Sequence, residues 1–119
     1  MKTFKEFLKE EQLFEMSTLK KKRYTKLPVN IWLSIKTEER HNKPRLKFQN
    51  NKSDTLSSIK DLIPISIEDN PEILIDTKID INNKDIQIIK NWIKINKVEL
   101  LKFWNQEIDF EDLINVLKF

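Results

Sequence analysis

Apolar and polar residues alternate at every second position through the middle of the chain. Residues 29–35 and 45–49 show this period, which predicts two half-buried strands, the second antiparallel to the first. Residues 62–67 predict a third strand, and Pro64 inside it places that strand at a sheet edge or a bulge. Residues 73–81 give a fourth extended segment. The middle of the chain is therefore predicted to form a small antiparallel sheet of three to four strands.

The last third of the chain changes to helical spacing. Asn82 or Asn83 can cap a first helix. Asn96 is followed three residues later by Glu99, so the first helix should end there and a second should begin. Asp109 can cap a last helix. The apolar residues on the inner sides of these helices are Ile86, Ile89, Trp92 and Ile93, then Leu100, Leu101 and Trp104, then Phe110, Leu113, Ile114 and Leu117.

The start of the chain has a helical signal of its own. Thr3 and Glu6 have the spacing of a capping box, which predicts an amphipathic helix or leader over residues 1–16. Residues 17–28 then follow as a basic linker, and residues 29–119 form a single domain. The fold class is α+β: an N-terminal helix, the antiparallel sheet, and two to three C-terminal helices packed on it.

The residue types that are missing exclude several kinds of site. The 119 residues contain no cysteine, no glycine and a single histidine, His41. A thiol nucleophile, a cysteine-based metal centre and a glycine-rich phosphate loop are therefore excluded. His41 lies in a polar loop, and the carboxylates around it show no ligand spacing. We therefore expect no catalytic residue, no metal and no cofactor.

The sequence also bears on where the protein acts. No apolar run has the length of a membrane span, and Lys5, Glu6 and Lys9 interrupt the apolar stretch that a secretory signal needs. The lack of cysteine gives no sign of an oxidising compartment. The expectation is a cytosolic protein that makes no membrane contact.

Charge is distributed unevenly along the chain. The formal net charge is +3, but residues 1–47 carry 13 Lys and Arg against 6 Glu, a balance of +7. Residues 48–119 carry 9 Lys against 13 Asp and Glu, a balance of −4. Two interpretations are open: the opposite charges meet across the fold, or a basic face binds an anionic partner.

Trp32 is the most prominent candidate binding residue. It alternates with the aliphatic residues of its strand, and in a hairpin it would share a face with Arg45 and Lys47. An aromatic ring beside cations can stack a nucleic-acid base while the cations contact phosphates. The alternative is that other elements cover this face and Trp32 belongs to the core. The candidate binding residues are Trp32, Lys36, Arg45 and Lys47, with the linker residues Lys20, Lys21, Lys22 and Arg23.

Residues 27–105 resemble a family of small bacterial domains of unknown function. The resemblance rests on Leu27-Pro28-Val29-Asn30-Ile31-Trp32, on Asn42-Lys43-Pro44-Arg45-Leu46-Lys47-Phe48, and on the helix from Asn96 to Trp104. The family's second strand has the pattern Pro-Pro-His-x-His, and its C-terminal helix has Asn-x-x-Glu-Leu-Leu-x-x-Trp. The family is associated with toxin–antitoxin-like gene pairs, which implies a toxin-like small nuclease. The helix matches, but Arg45 and Lys47 replace both histidines, so any chemistry that those histidines perform is lost here.

The first ten residues carry a second resemblance. Met1-Lys2-Thr3-Phe4-Lys5-Glu6-Phe7-Leu8-Lys9-Glu10 looks like the leader of internal head proteins in T-even-like phages. Such leaders are cut after a Leu/Ile-x-Glu tripeptide, which Leu8, Lys9 and Glu10 match. The resemblance implies a phage-encoded protein in the host cytosol or the virion interior, with cleavage after Glu10.

Three function classes follow from these features. The first is a small non-enzymatic binding protein that acts by contact with a host or phage protein. The second is a nucleic-acid-binding module that uses the basic strand face with Trp32. The third is the toxin-like nuclease. Protein is the expected partner in the first class and nucleic acid in the second, and the sequence leaves the oligomeric state open.

Overall fold

The described residues form one antiparallel sheet followed by three helices. The structure, a computed structural model, describes residues 27–36, 43–53, 56 and 58–118, together with the backbone of Met16–Leu19. The strands lie in chain order and are β1 (Met16–Leu19), β2 (Ile31–Ser34), β3 (Arg45–Gln49) and β4 (Leu62–Ser66). A 3-10 turn (Ile59–Asp61) precedes β4, and the helices are α1 (Asn83–Ile95), α2 (Lys97–Trp104) and α3 (Phe110–Val116). The α+β class, the antiparallel sheet and the C-terminal helices are confirmed.

One face of the sheet and the three helices share a single core. Along β2, and along β3 as far as Phe48, buried residues alternate with half-buried ones, because every second side chain of a strand points to the same face. The apolar side chains of this inner face cluster with the inner sides of the helices. The largest fully buried side chains in this core are Phe48, Ile31, Leu33, Leu46, Ile63, Ile65, Ile89, Ile93, Leu100 and Leu113.

The first strand lies where no strand was predicted. Met16–Leu19 pairs antiparallel with β2, so the predicted linker over 17–28 contains strand residues at its start. The rest of the predicted N-terminal helix and residues 20–26 lie outside the described part of the chain. Pairing gives hydrogen-bond partners to a β2 edge that would otherwise be open, and Thr18 has a high strand propensity. A segment of four residues is too short to show the alternation that identifies a strand.

The fourth predicted extended segment is not a strand. Of residues 73–81, only Ile73 forms a bridge, to Ile65 of β4. Further along, the Asn50 side chain holds the segment: its Nδ2 donates to the Lys78 carbonyl at 3.0 Å, and its Oδ1 accepts from the Asp80 amide at 2.8 Å. Side-chain hydrogen bonds therefore replace a strand ladder there. The position of Pro64 on an edge strand is as the sequence predicted.

The predicted helix caps are largely correct. Asn82 Oδ1 accepts from the Asp85 amide at 2.8 Å and begins α1. Asp109 and Asp112 form a reciprocal capping box at the start of α3. Asn96 does separate α1 from α2, but its side chain makes no cap bond to α2. That side chain is engaged by the end of the chain instead.

Two carboxylates fix the turn that follows β4. Glu68 accepts a hydrogen bond from the Ser66 hydroxyl, and Lys43 Nζ lies 3.0 Å from its carboxylate. These bonds, with that of Ser66 first, lower the pKa of Glu68. Asp69 accepts a 2.9 Å hydrogen bond from Lys97 Nζ of α2, which lowers the pKa of Asp69. The turn is thereby tied to both the sheet and the second helix.

The lowered pKa values predict an acid-sensitive contribution to stability. The folded protein holds the Glu68 and Asp69 protons less tightly than the unfolded chain, in which both carboxyl groups have their ordinary pKa values. The stabilisation is therefore complete above these values and is lost as the pH falls through the lower folded pKa. Unfolding free energies from urea titrations between neutral and strongly acidic pH should fall less steeply in Glu68→Gln than in wild type. Glu107→Gln, which removes an exposed carboxylate elsewhere, is the matched control. An unchanged slope in Glu68→Gln would contradict the prediction.

Candidate functional site

The predicted binding face is assembled in part. The register places Trp32 of β2 directly opposite Lys47 of β3, and Arg45 occupies the same outer face two residues earlier. Lys36 lies beyond the end of β2, where its amide donates to the Trp104 carbonyl at 2.8 Å. Its carbonyl accepts from Gln106 Nε2 at 3.1 Å, so this part of the chain is tied to the loop after α2. Trp32, Arg45 and Lys47 therefore share one face of the β2–β3 hairpin, as the strand alternation predicted.

The outer face is less open than a stacking platform requires. Trp32, Arg45 and Lys47 are all half-buried. The Trp32 indole Nε1 is buried and has no hydrogen-bond partner among the described residues. Burial lowers the pKa of Arg45, whose Nε donates to the Lys43 carbonyl at 3.3 Å. Bases stack on exposed aromatic faces, so this partly covered indole presents only a reduced surface to a nucleic acid.

The other sequence-predicted residues lie outside the described part of the chain. They are the basic run Lys20, Lys21, Lys22 and Arg23, the cleavage tripeptide residues Leu8 and Glu10, and the lone histidine His41. The described portion contains no group of three or more His, Cys, Asp and Glu residues placed to hold a metal ion.

A second candidate surface lies at the junction of the three helices. Ile95 ends α1 and is 62% exposed, Val98 lies in the first turn of α2 and is 60% exposed, and Val116 ends α3 and is 44% exposed. These three residues define the helix-junction patch. Isolated exposed aliphatic residues are ordinary, whereas a group of them at one place is a mark of an interaction surface.

The Asn96 side chain connects the junction of α1 and α2 to the end of the chain after α3. This residue is only 1% exposed and lies between Ile95 and Val98 in the sequence. Its Nδ2 donates to the Lys118 carbonyl at 2.9 Å and its Oδ1 accepts from the Lys118 amide at 2.7 Å. Its Nδ2 also donates to the Trp92 carbonyl at 3.0 Å. The chain end that carries Val116 is therefore fixed against the junction of α1 and α2.

Charged residues of both signs lie near the residues of the helix-junction patch along the chain. Lys94 and Lys118 are exposed next to it along the chain, and Asp112 lies one helical turn before Val116. In α2, Lys102 Nζ lies 3.9 Å from the Glu99 carboxylate. An apolar centre with a charged rim is the usual anatomy of a protein interface. Such a surface binds by excluding water.

The helix-junction patch was not predicted from the sequence, although the sequence contains a signal for it. Ile86, Ile89 and Ile93 share the core side of α1, as their spacing predicted. Ile88 and Ile95 are seven residues apart and form a second stripe on the same helix, where Ile88 is 40% exposed. This stripe of Ile88 and Ile95 lies away from the core side of α1, and such a stripe on an amphipathic helix indicates a contact surface.

Comparison of the chain with protein-family models, with curated proteins and with solved structures yields no match. In the portion that the structure describes, no helix combines the length and the apolar character needed to cross a membrane.

Proposed function

We propose that this chain is a small non-enzymatic binding protein that acts by contact with another protein through the helix-junction patch. The observation that carries the proposal is the exposure of Ile95, Val98 and Val116 near a buried asparagine, whose hydrogen bonds to Lys118 tie the chain end after Val116 to the junction of α1 and α2. Burying this patch against a partner removes apolar surface from water, at about 25 cal/mol for each Å².

The side chains of the helix-junction patch have few accessible rotamers, which favours binding to a partner. Ile and Val are branched at Cβ, and in a helix each has one strongly preferred rotamer. The side chains therefore lose little conformational entropy when a partner covers them. A partner with an apolar centre and an acidic rim opposite Lys94 and Lys118 would complement this surface.

The opening of the chain supports a phage setting for this contact. Met1–Glu10 has the form of a prohead leader, and contact with a host or phage protein is the kind of activity that a small cytosolic or virion protein without catalytic groups would have. The partner is therefore proposed to be a protein of the host or of the phage particle.

The proposal predicts that one charge in the patch abolishes partner binding. Val98→Asp puts a carboxylate into the apolar centre, while an acidic residue in the first turn remains compatible with the α2 helix dipole. Tagged wild-type protein should retain a specific protein from nuclease-treated lysate, and Val98→Asp should lose it. Purified partner should then bind wild type at least tenfold more tightly than Val98→Asp.

Thr77→Asp is the matched control, because Thr77 is exposed and lies outside the patch. It adds the same charge and should bind the purified partner as wild type does. Equal binding by Val98→Asp and wild type would show that the patch is not the contact surface.

The second candidate function is nucleic-acid binding by the outer face of the sheet. The observation in its favour is the register, which sets Trp32 opposite Lys47 with Arg45 on the same face. The toxin-like nuclease has no comparable observation in its favour, since Arg45 and Lys47 replace the two histidines of the family that it rests on.

Binding to single-stranded DNA or RNA at low salt tests the second candidate. If this face binds nucleic acid, Trp32→Ala weakens binding by about 1–3 kcal/mol because the ring no longer stacks on a base. Changing Arg45 and Lys47 to Gln instead flattens the salt dependence, by somewhat under one unit of logarithmic slope for each phosphate that a cation no longer neutralises. Wild-type protein that binds neither nucleic acid at low salt eliminates this candidate.

A further inference from the structure

The outer side of α1 carries an apolar stripe that continues into α2. Ile88 is 40% exposed, Ile95 is 62% exposed and Val98 is 60% exposed. Asn91, which lies between the two isoleucines, is exposed as well. The steps from one of these residues to the next are three, four and three, which is the spacing of the residues that meet when two helices pack side by side. These four residues define the helix stripe, and Ile95 and Val98 belong to the helix-junction patch as well.

The junction between the two helices does not interrupt the helix stripe. The Asn96 amide donates to the Trp92 carbonyl at 3.1 Å, and the Asn96 carbonyl accepts from the Leu100 amide at 2.9 Å. Both bonds join residues four apart, as in a continuous α-helix. The stripe is about 15 Å long, since an α-helix rises by about 1.5 Å for each residue. That length matches about three turns of a second helix.

A helix fits this stripe better than an extended peptide does. A line of side chains at helical spacing packs into the groove of a helix that lies alongside it. An extended peptide gains affinity from main-chain hydrogen bonds to a sheet edge, whereas the backbone groups of α1 are used within the helix. A single polar residue such as Asn91 is a means by which paired helices fix their register.

The charges beside the helix stripe complement an acidic partner. The exposed charged residues of α1 are Lys84 and Lys94. The acid of this helix, Asp85, is buried, and its carboxylate lies 3.1 Å from Lys52 Nζ. Neither Lys84 nor Lys94 forms a salt bridge with another described residue, so carboxylates of a partner can pair with both.

Two acidic side chains near α2 already have lysine partners. The Glu99 carboxylate lies 3.9 Å from Lys102 Nζ, and that of Asp69 lies 2.9 Å from Lys97 Nζ. The charge left for a partner beside the helix stripe is therefore positive.

We infer that the partner contributes an amphipathic helix, whose apolar side lies on the helix stripe and whose flanks carry Asp or Glu beside Lys84 and Lys94. The inference rests on the proposed function, because the helix stripe shares Ile95 and Val98 with the helix-junction patch. It extends the contact along α1 by about two turns, to Ile88.

Fluorescence anisotropy of a labelled synthetic peptide tests the inference on the full chain. The probe is a peptide of about three heptads with leucine at the a and d positions and glutamate at the flanking e and g positions. It should bind wild type about tenfold more tightly than the same peptide with lysine in place of glutamate. The double variant Lys84→Glu and Lys94→Glu should reverse this preference.

Ile88→Gln and Ile75→Gln are the matched variants for the apolar contact. Each removes an exposed isoleucine, but Ile75 is 46% exposed and lies outside the helices. Ile88→Gln should weaken binding of the glutamate peptide by roughly fivefold or more, whereas Ile75→Gln should bind it as wild type does. Circular dichroism should show the wild-type helix content in both variants. A glutamate peptide that fails to bind, or that binds Ile88→Gln as tightly as wild type, overturns the inference.

The purified partner separates this inference from the proposed function. The expected result is that Ile88→Gln and Val98→Asp both weaken its binding. Full binding by Ile88→Gln with loss in Val98→Asp would overturn the helical partner and leave the proposed function in place, since the contact would then be limited to the helix-junction patch. Full binding by both variants would overturn both proposals.

Discussion

Leu100→Ala is expected to lower the free energy of unfolding by about 2–5 kcal/mol. Leu100 is 1% exposed and packs in the core between the helices and the sheet. Leu101, its neighbour in α2, is only half-buried at the margin of the same core. Leu101→Ala removes the same atoms from a partly solvated site and should cost about 1 kcal/mol.

Chemical denaturation of the two variants makes a matched comparison, because they share the substitution and the helix. The difference between them measures burial alone and leaves out helix propensity. Helical periodicity predicts both leucines on the inner side of α2, whereas the structure buries Leu100 more fully than Leu101. Unequal losses of stability would therefore support the structure over the sequence pattern. Equal losses of stability in the two variants would contradict the observed orientation of α2.

Asn96→Ala is expected to cost roughly 3 kcal/mol of stability, because it removes three hydrogen bonds that each contribute about 0.5–1.5 kcal/mol. The substitution removes both hydrogen bonds to the Lys118 backbone and the bond to the Trp92 carbonyl. It should also free the chain end that carries Val116. Partner binding should therefore weaken although no residue of the helix-junction patch has changed.

Asn91→Ala is the control for this variant. Asn91 is an exposed asparagine of α1, and alanine has the higher helix propensity, so stability should stay unchanged or rise slightly. Urea denaturation measures both variants, and NMR order parameters at Val116 report whether the chain end is released. A loss of stability below about 1 kcal/mol in Asn96→Ala would show that solvent replaces these hydrogen bonds.

The elements that the sequence predicts best are those with local signals. Alternation identified β2 and β3, and the caps at Asn82 and Asp109 located α1 and α3. Residues 73–81 also alternate, yet only Ile73 is bridged, because a strand needs a partner edge as well as a pattern. The opposite holds for β1. Its pairing with β2 makes it a strand, whereas its own four residues are too few to show a clear alternation of apolar and polar residues.

The site depends on contacts that sequence periodicity does not encode. Trp32 and Lys47 could be placed on one face because strand alternation fixes faces, but their half-burial depends on the rest of the fold. Asn96 has the sequence signature of a helix cap. In the structure its side chain bonds instead to the backbone of Lys118, 22 residues later in the chain, and no local rule predicts that pairing.

Chemical-shift mapping of isotopically labelled protein bound to its purified partner is the measurement that most directly identifies the functional surface. Contact through the helix-junction patch predicts shifts centred on Ile95, Val98 and Val116, while the Trp32 indole and Lys47 remain unchanged. Shifts centred on Trp32 and Lys47, with the three aliphatic residues unchanged, would contradict it and assign the binding function to the outer face of the sheet.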